Sequence, residues 1–333
     1  MSRRAIVTGA TGQDGALLSN LLCAEGLEVL GLHRARTPND SAYAKLQKPN
    51  MRLSAIRDYR DPKLKPLIRD FSPDYVFALH GNSFSLSDES NKKNFICDPT
   101  SDFIYHMEIL GKIPKNVKYL LASSSEIYAG TKSERIDEDS DPKPRTPYGL
   151  GKLNLLNVGR YYREFESCEV FGAILFPHES EYRRNDFVIM KLVESIVGVH
   201  LRGKAPLTFG DLTTSRDFGS AKDYVNWMYK LVQVGMPDDY CFATGVNTPV
   251  TEIVLLIAEI LGIELEILEV NGRLYYVSRL DARRIYLISD PIRKIPTNYT
   301  YPVGTNQKLF DQIGPQEVTS IKKWLKEMIH SKS

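Results

Sequence analysis

The sequence predicts an α/β fold: a doubly wound parallel sheet with a smaller C-terminal substrate-binding domain. Three observations carry that expectation. Short continuous apolar runs such as Ala5-Ile6-Val7 and Tyr75 to Leu79 have the pattern of strands buried on both faces. They alternate with segments of helical period, as strand-helix-strand units require. The first run enters a glycine turn, Thr8 to Gly15, and the turn opens a helix.

The glycines of that turn stand at 9, 12 and 15. Bare glycine backbone lets a pyrophosphate approach closely, and the helix N-terminus offers free N–H groups and a positive dipole end. Gly9, Thr11, Gly12, Gln13, Asp14 and Gly15 are therefore candidate dinucleotide contacts. Leu17, Leu18, Leu21 and Leu22 share a helical face, and Gly26 is placed to cap the helix. A second strand, Glu28 to Leu32, leads into His33, Arg34, Ala35 and Arg36. An acidic residue in this place holds the ribose 2′-hydroxyl of NAD, whereas Arg34 suits a 2′-phosphate, so NADP is the expected cofactor.

The polar, irregular stretch Thr37 to Met51 is a candidate contact with a neighbouring subunit. A third strand begins at Arg52 and ends at Asp58, and the helix after Pro62 carries Leu64, Leu67, Ile68 and Phe71. Strand Tyr75 to Leu79 presents His80, Gly81, Asn82 and Ser83 at its C-terminal end, where ligand crevices form in such sheets.

The next strand, Tyr119 to Ala122, ends in Ser123, Ser124, Ser125 and Glu126. After a proline-marked loop, Tyr148 and Lys152 stand at the mouth of a helix containing Leu153, Leu155, Leu156 and Val158. Residues four apart share a helical face, so an ammonium can approach the phenol, favour its ionised form and make it a usable base. Strand Val170 to Phe176 follows. Beyond it lie the polar run Pro177 to Asp186, the stretch Arg216 to Tyr224, an apolar helix from Thr251 to Leu261 and a final amphipathic helix around Ile321 to Ile329. The expected division is a dinucleotide-binding domain over 1–176, with a return segment near 211–245, and a mainly substrate-binding domain over 177–333.

Composition narrows the function classes. A formal charge of +2 gives no ground for a nucleic-acid or membrane-surface partner. Four cysteines, Cys23, Cys97, Cys168 and Cys241, lack the spacing of a zinc site or a disulfide framework, and are expected to be reduced, partly buried fillers. No metal is expected. No run approaches the ~20 apolar residues of a bilayer span, and no signal-peptide pattern follows Met1, so the cytoplasm is the expected location.

These motifs resemble the extended short-chain dehydrogenase/reductases, and within them the GDP-mannose 4,6-dehydratase family. The likeness rests on TGATGQDG from Thr8 to Gly15, ASSSEIY from Ala122 to Tyr128, RTPYGLGK from Arg145 to Lys152, ILFPHES from Ile174 to Ser180 and RDFGSAKDYV from Arg216 to Val225. The resemblance implies an intramolecular redox cycle on a GDP-linked hexose, mannose or a related sugar or heptose, giving a 4-keto-6-deoxy sugar. It assigns catalysis to Ser124, Glu126, Tyr148 and Lys152. Tyr148 takes the O4 proton, Lys152 supports it and holds the nicotinamide ribose, Ser124 hydrogen-bonds O4, and Glu126 removes the C5 proton and assists loss of the C6 hydroxyl. The implied cofactor contacts add Asp58, Leu79, His80, Ser83, His178 and Arg183. The implied substrate contacts are Ser83, Ser124, Glu126, Tyr148, Glu179, Lys191 and Arg216. A homodimer or homotetramer is the expected assembly.

Two departures fall in the substrate half. Pro177 stands where the family has an asparagine that touches substrate, and Tyr301 where a second diphosphate-binding arginine is expected. Two other functions remain compatible with the motifs: C4 oxidation or epimerisation without water loss, and cofactor binding without turnover.

Overall fold

A computed structural model describes residues 2–34, 46, 48–81, 92–112, 116–281, 283–290 and 302–333. Ser83, Tyr301 and most of the polar stretch after Arg34 lie outside the described residues.

Seven parallel strands form the central sheet. They are β1 (Arg4–Thr8), β2 (Glu28–Arg34), β3 (Met51–Ile56), β4 (Tyr75–Ala78), β5 (Lys118–Ser124), β6 (Val170–Leu175) and β7 (Asp239–Phe242), in the order β3-β2-β1-β4-β5-β6-β7. The order reverses between β1 and β4, and at such a switch point a doubly wound sheet opens a crevice beyond its strand ends. Alternate residues pack on opposite faces. Ile6, Val76, Tyr119 and Leu121 join one core, while Ala5, Val7, Phe77 and Leu120 join the other. Burial on both sides is why these strands read as unbroken apolar runs.

The helices cover both faces. On one lie α2 (Leu64–Phe71), α3 (Lys92–Leu110) and α4 (Pro147–Phe165). The other carries α1 (Gln13–Ala24), α6 (Ala221–Val234) and α8 (Gln307–Ile313). A third core gathers α5 (Val188–Arg202), α7 (Val250–Leu261) and α9 (Ile321–His330) against a smaller sheet of Leu207–Phe209, Leu265–Val270, Arg273–Ser278 and Ile285–Ser289.

The elements expected from sequence are present with small shifts at their ends. β3 stops at Ile56, two residues before Asp58, while β2 runs on to Arg34. Gly26 follows α1 with φ +80°, the left-handed geometry expected of a residue ending a helix. Helix α3 was not apparent in the sequence, because its first half is polar and carries Pro99. All four cysteines are free; Cys23 and Cys241 are buried and Cys168 is partly so, and only the exposed Cys97 departs from the expected partly buried fillers. Among the described residues no helix is long and apolar enough to cross a membrane.

Helices α3 and α4 approach so closely that a Cβ on Gly151 would stand 1.9 Å from the Phe95 carbonyl oxygen. A Gly→Ala change inside a helix gains about 1 kcal/mol in propensity, and overpacking a dense site costs about 1–3 kcal/mol or more. Because the obstacle here is backbone, overpacking should win. Gly151→Ala is expected to lower the urea midpoint; an unchanged or raised midpoint would contradict this packing.

Candidate active site

Helix α4 is started by Thr146, whose Oγ1 accepts the Gly149 N–H at 2.9 Å, with Pro147 at its first position. This start sets Tyr148 and Lys152 on one face, with the Lys152 Nζ 5.6 Å from the centre of the phenol ring. Lys152 is only 5% exposed, and its ammonium donates to the Ala122 carbonyl at 2.7 Å. Ser123 Oγ in turn donates to the Lys152 carbonyl at 3.2 Å. Strand β5 then passes into a short 3₁₀ turn, Ser125–Tyr128, where Ser124 Oγ accepts the Glu126 N–H at 3.3 Å. The Ser124 hydroxyl and the Glu126 carboxylate both lie close enough to the Tyr148 phenol to act on its titration, in opposite directions. All four expected catalytic side chains therefore meet at one place.

Burial dominates the titration of this group. It pushes the Tyr148 phenol up to about 12, although the neighbouring Ser124 hydroxyl opposes the rise. It also pushes the Lys152 ammonium down to about 8. A phenol tuned towards ionisation, as the spacing suggested, is thus not what these side chains produce alone: losing water outweighs the neighbours that favour the charged form. Burial likewise raises the Glu126 carboxyl, with the Arg216 guanidinium acting against it.

The glycine turn lies across the same sheet edge. Gly9 adopts φ +70°, and a Cβ on Gly15 would fall 2.1 Å from the Gly9 carbonyl oxygen, so the turn can close only with glycine there. Gly12 N–H donates to that carbonyl at 2.9 Å, which sets the start of α1. Asp14 reaches back to His178, with both carboxylate oxygens 3.0 Å from Nε2. His178 Nδ1 lies 2.6 Å from the Phe176 carbonyl, so acceptors face both ring nitrogens, an arrangement that favours the protonated ring. Burial alone would lower the His178 pKa, but Asp14 reverses it and the net shift is upward. Burial would raise Asp14, and the His178 charge reverses that too. Gln13 completes the tie, donating to the His178 carbonyl at 3.1 Å and accepting from Ser180 Oγ at 3.0 Å.

A cleft of about 430 Å³ opens beside this turn, with Arg34, Tyr59, His80, Gly81, Tyr148 and Lys152 among its walls. Bare glycine backbone at a helix N-terminus, an arginine at the end of β2 and the tyrosine-lysine pair fit a dinucleotide lying across the edge. A second pocket of about 350 Å³ is lined by Ser125, Glu126, Ala129, Phe176, Pro177, Arg216, Asp217 and Pro302. Glu126 and Arg216 thus face one cavity, and Pro177 forms part of its wall.

Other expected contacts are dispersed. Asp58 pairs with Arg57 at 3.1 Å and accepts the Arg60 N–H at 2.9 Å, without lining the cleft. Leu79 follows β4, partly buried against the core. Glu179 and Arg183 form an ion pair at 3.3 Å, with the Arg183 guanidinium 3.6 Å above the Phe187 ring. Lys191 is exposed on the first turn of α5 and does not line the second pocket. Sequence reasoning missed Tyr59, Asp102 and Asp217. Asp217 is 1% exposed and accepts from Thr244 N–H at 2.9 Å, Gly245 N–H at 3.0 Å and Gly304 N–H at 3.2 Å. Its place directly after Arg216 was the one available signal.

A GDP-mannose 4,6-dehydratase family model matches residues 6–328. The GDP-mannose 4,6-dehydratase of Vibrio cholerae is 32% identical over 276 residues, covering 80% of this chain and 74% of that one. Among solved structures, RMD from Pseudomonas aeruginosa complexed with NADPH shares the fold with a TM-score of 0.75 at 21% identity, over 99% of both chains. TunA, an NAD-dependent NDP-hexosamine 5,6-dehydratase, does so with a TM-score of 0.79 at 17% identity, over 99% of this chain and 97% of its own. A model match running almost from end to end, on a chain whose motifs meet at one sheet edge, shows that the protein belongs to the GDP-mannose 4,6-dehydratase family.

Proposed function

We propose that the protein is an NADP-dependent nucleotide-sugar 4,6-dehydratase acting on a GDP-linked hexose, mannose or a related sugar or heptose. The observation that carries this reading is the meeting of Ser124, Glu126, Tyr148 and Lys152, with Glu126 turned into a pocket that also holds Arg216. The glycine turn and Arg34 would hold NADP, which would supply a hydride acceptor for C4 and a donor back to C6.

The chain's own residues do the remaining work. Ser124 and Tyr148, neighbours in the site, share the sugar O4 hydroxyl: Ser124 donates to it and Tyr148 takes its proton. Since burial favours the neutral phenol, proton acceptance depends on the Lys152 ammonium, which at a pKa of about 8 is still charged at neutral pH. A ketone at C4 makes the C5 proton acidic. Glu126 removes it, and the same carboxyl then protonates the departing C6 hydroxyl as water. A raised pKa suits a group that must both take and return a proton. Arg216 offers a planar fork of donors for the diphosphate.

Glu126→Gln keeps the shape of the site and removes the base. Incubated with GDP-mannose, this variant should lose water elimination by about 10²–10⁴-fold while C4 oxidation persists. Mass spectrometry reads the loss of one water. If the wild type inverted C4 or released NADPH with the C6 hydroxyl retained, it would be an epimerase or oxidoreductase instead.

The titration directions set the pH profile. Glu126 must be ionised, so the acidic limb of kcat/KM should lie above that of an exposed glutamate. Lys152 must be protonated, so activity should fall as pH rises through about 8. Lys152→Arg should carry the alkaline limb higher, and a limb that does not move would remove Lys152 from this role.

The two structural relatives differ in their dinucleotide, NADPH for RMD and NAD for TunA, so Arg34 carries the choice of NADP. Arg34→Ala should weaken NADPH binding about tenfold or more and leave NADH binding nearly unchanged, read by fluorescence titration. Equal losses for both would count against a 2′-phosphate contact.

A further inference from the structure

In the wall of the dinucleotide cleft, and reaching down beneath it, lies a polar cluster that none of these steps uses. Thr8, the last residue of β1, places its Oγ1 2.6 Å from Nδ1 of His80. The Nε2 of His80 lies 3.2 Å from Asp102 Oδ2, and the other Asp102 oxygen pairs with Arg60 Nε at 3.0 Å. The His80 ring stacks on Tyr59 with centroids 3.7 Å apart and planes 25° apart. The Tyr59 hydroxyl accepts the Gly9 N–H at 3.0 Å. His106 supports the assembly from below, with one ring nitrogen 3.0 Å from the Tyr59 carbonyl and the other 2.9 Å from the Tyr119 hydroxyl.

A hydroxyl, an imidazole and a carboxylate in a row have the composition of a nucleophilic triad. Thr8 is 1% exposed, however, and lies under the glycine turn, so it cannot meet a substrate. Simple space-filling is also a poor account, because apolar side chains would fill the volume without burying Asp102 and His106. The cluster converges instead on Gly9. Its N–H is held by Tyr59, and its missing side chain leaves room for the His80 backbone, whose Cα would stand 2.9 Å from a Cβ. Burial keeps His80 neutral, and a neutral ring accepts from Thr8 and donates to Asp102 with both nitrogens satisfied.

We infer that Tyr59, His80 and Asp102 are positioning residues for the dinucleotide, acting through Gly9 to hold the pyrophosphate cradle in its binding shape before the ligand arrives. The inference rests on the dinucleotide reading given above. A loop fixed in advance loses less freedom on binding, so the benefit belongs to affinity and not to the chemical step.

The test uses the full chain and NADPH, with the dissociation constant from fluorescence titration, kcat on GDP-mannose at saturating NADP, and thermal melting to establish folding. His80→Ala should raise the NADPH dissociation constant about tenfold, a larger factor than any loss of kcat. His80→Gln, which can still bond to Thr8 or Asp102, should recover part of that loss. Tyr59→Phe keeps the stacked ring and loses only the acceptor for Gly9, and should weaken binding by about threefold or more. A folded His80→Ala protein with wild-type affinity, or with kcat reduced as much as affinity, would overturn the inference. If His80→Ala does not fold, Tyr59→Phe decides, and unchanged affinity there would overturn it. Wild-type protein that binds neither NADPH nor NADH would overturn the dinucleotide reading itself, and this inference with it.

Discussion

Lys152 is tied into strand β5 twice, through its ammonium to the Ala122 carbonyl and through its own carbonyl to Ser123. A buried cation is costly, and here it also fixes the register between helix α4 and the sheet edge. Ser124 and Glu126 lie just beyond those two anchor points, and Tyr148 lies one turn back along the helix. If the anchors shifted, the serine, the glutamate and the phenol would move relative to one another. The catalytic arrangement is thus a property of how one helix sits on one strand.

Two further ties bring distant segments to that edge. The Asp14–His178 ion pair, with Gln13 and Ser180 beside it, binds the glycine turn to the chain leaving β6. Asp217 performs a comparable task on the sugar side, where one carboxylate gathers backbone donors from Thr244, Gly245 and Gly304. Burial raises its pKa even so, and the donors act against that rise. The neighbouring Arg216 is presented from a segment whose backbone has little freedom to move.

The strands of the central sheet could be read from sequence because burial on both faces leaves a simple trace, an apolar run of four to seven residues ending in a turn. The catalytic set was legible for a related reason: its members fall within two short motifs whose spacing reflects local geometry. Helix α3 was not legible. Its buried face includes Asp102 and His106, which look like surface polarity until their partners on other elements are known. Tyr59 was hidden in the same way, since its bond to Gly9 spans β1 and the turn after β3. The ionisation of Tyr148 was misjudged because spacing reports a neighbouring charge and says nothing of lost water.

The second pocket draws its walls from four stretches of chain: the turn after β5, the exit of β6, the Arg216 strand and Pro302. The last of these is fixed by Val303–Gly304 pairing in parallel with Arg135–Ile136. Domains fold as units while the chain leaves the ribosome, and the central sheet also waits for the C-terminal stretch, since α8 (Gln307–Ile313) packs on one of its faces. The second pocket gains its final wall only when synthesis has passed Gly304, so both are late products of the polypeptide's emergence.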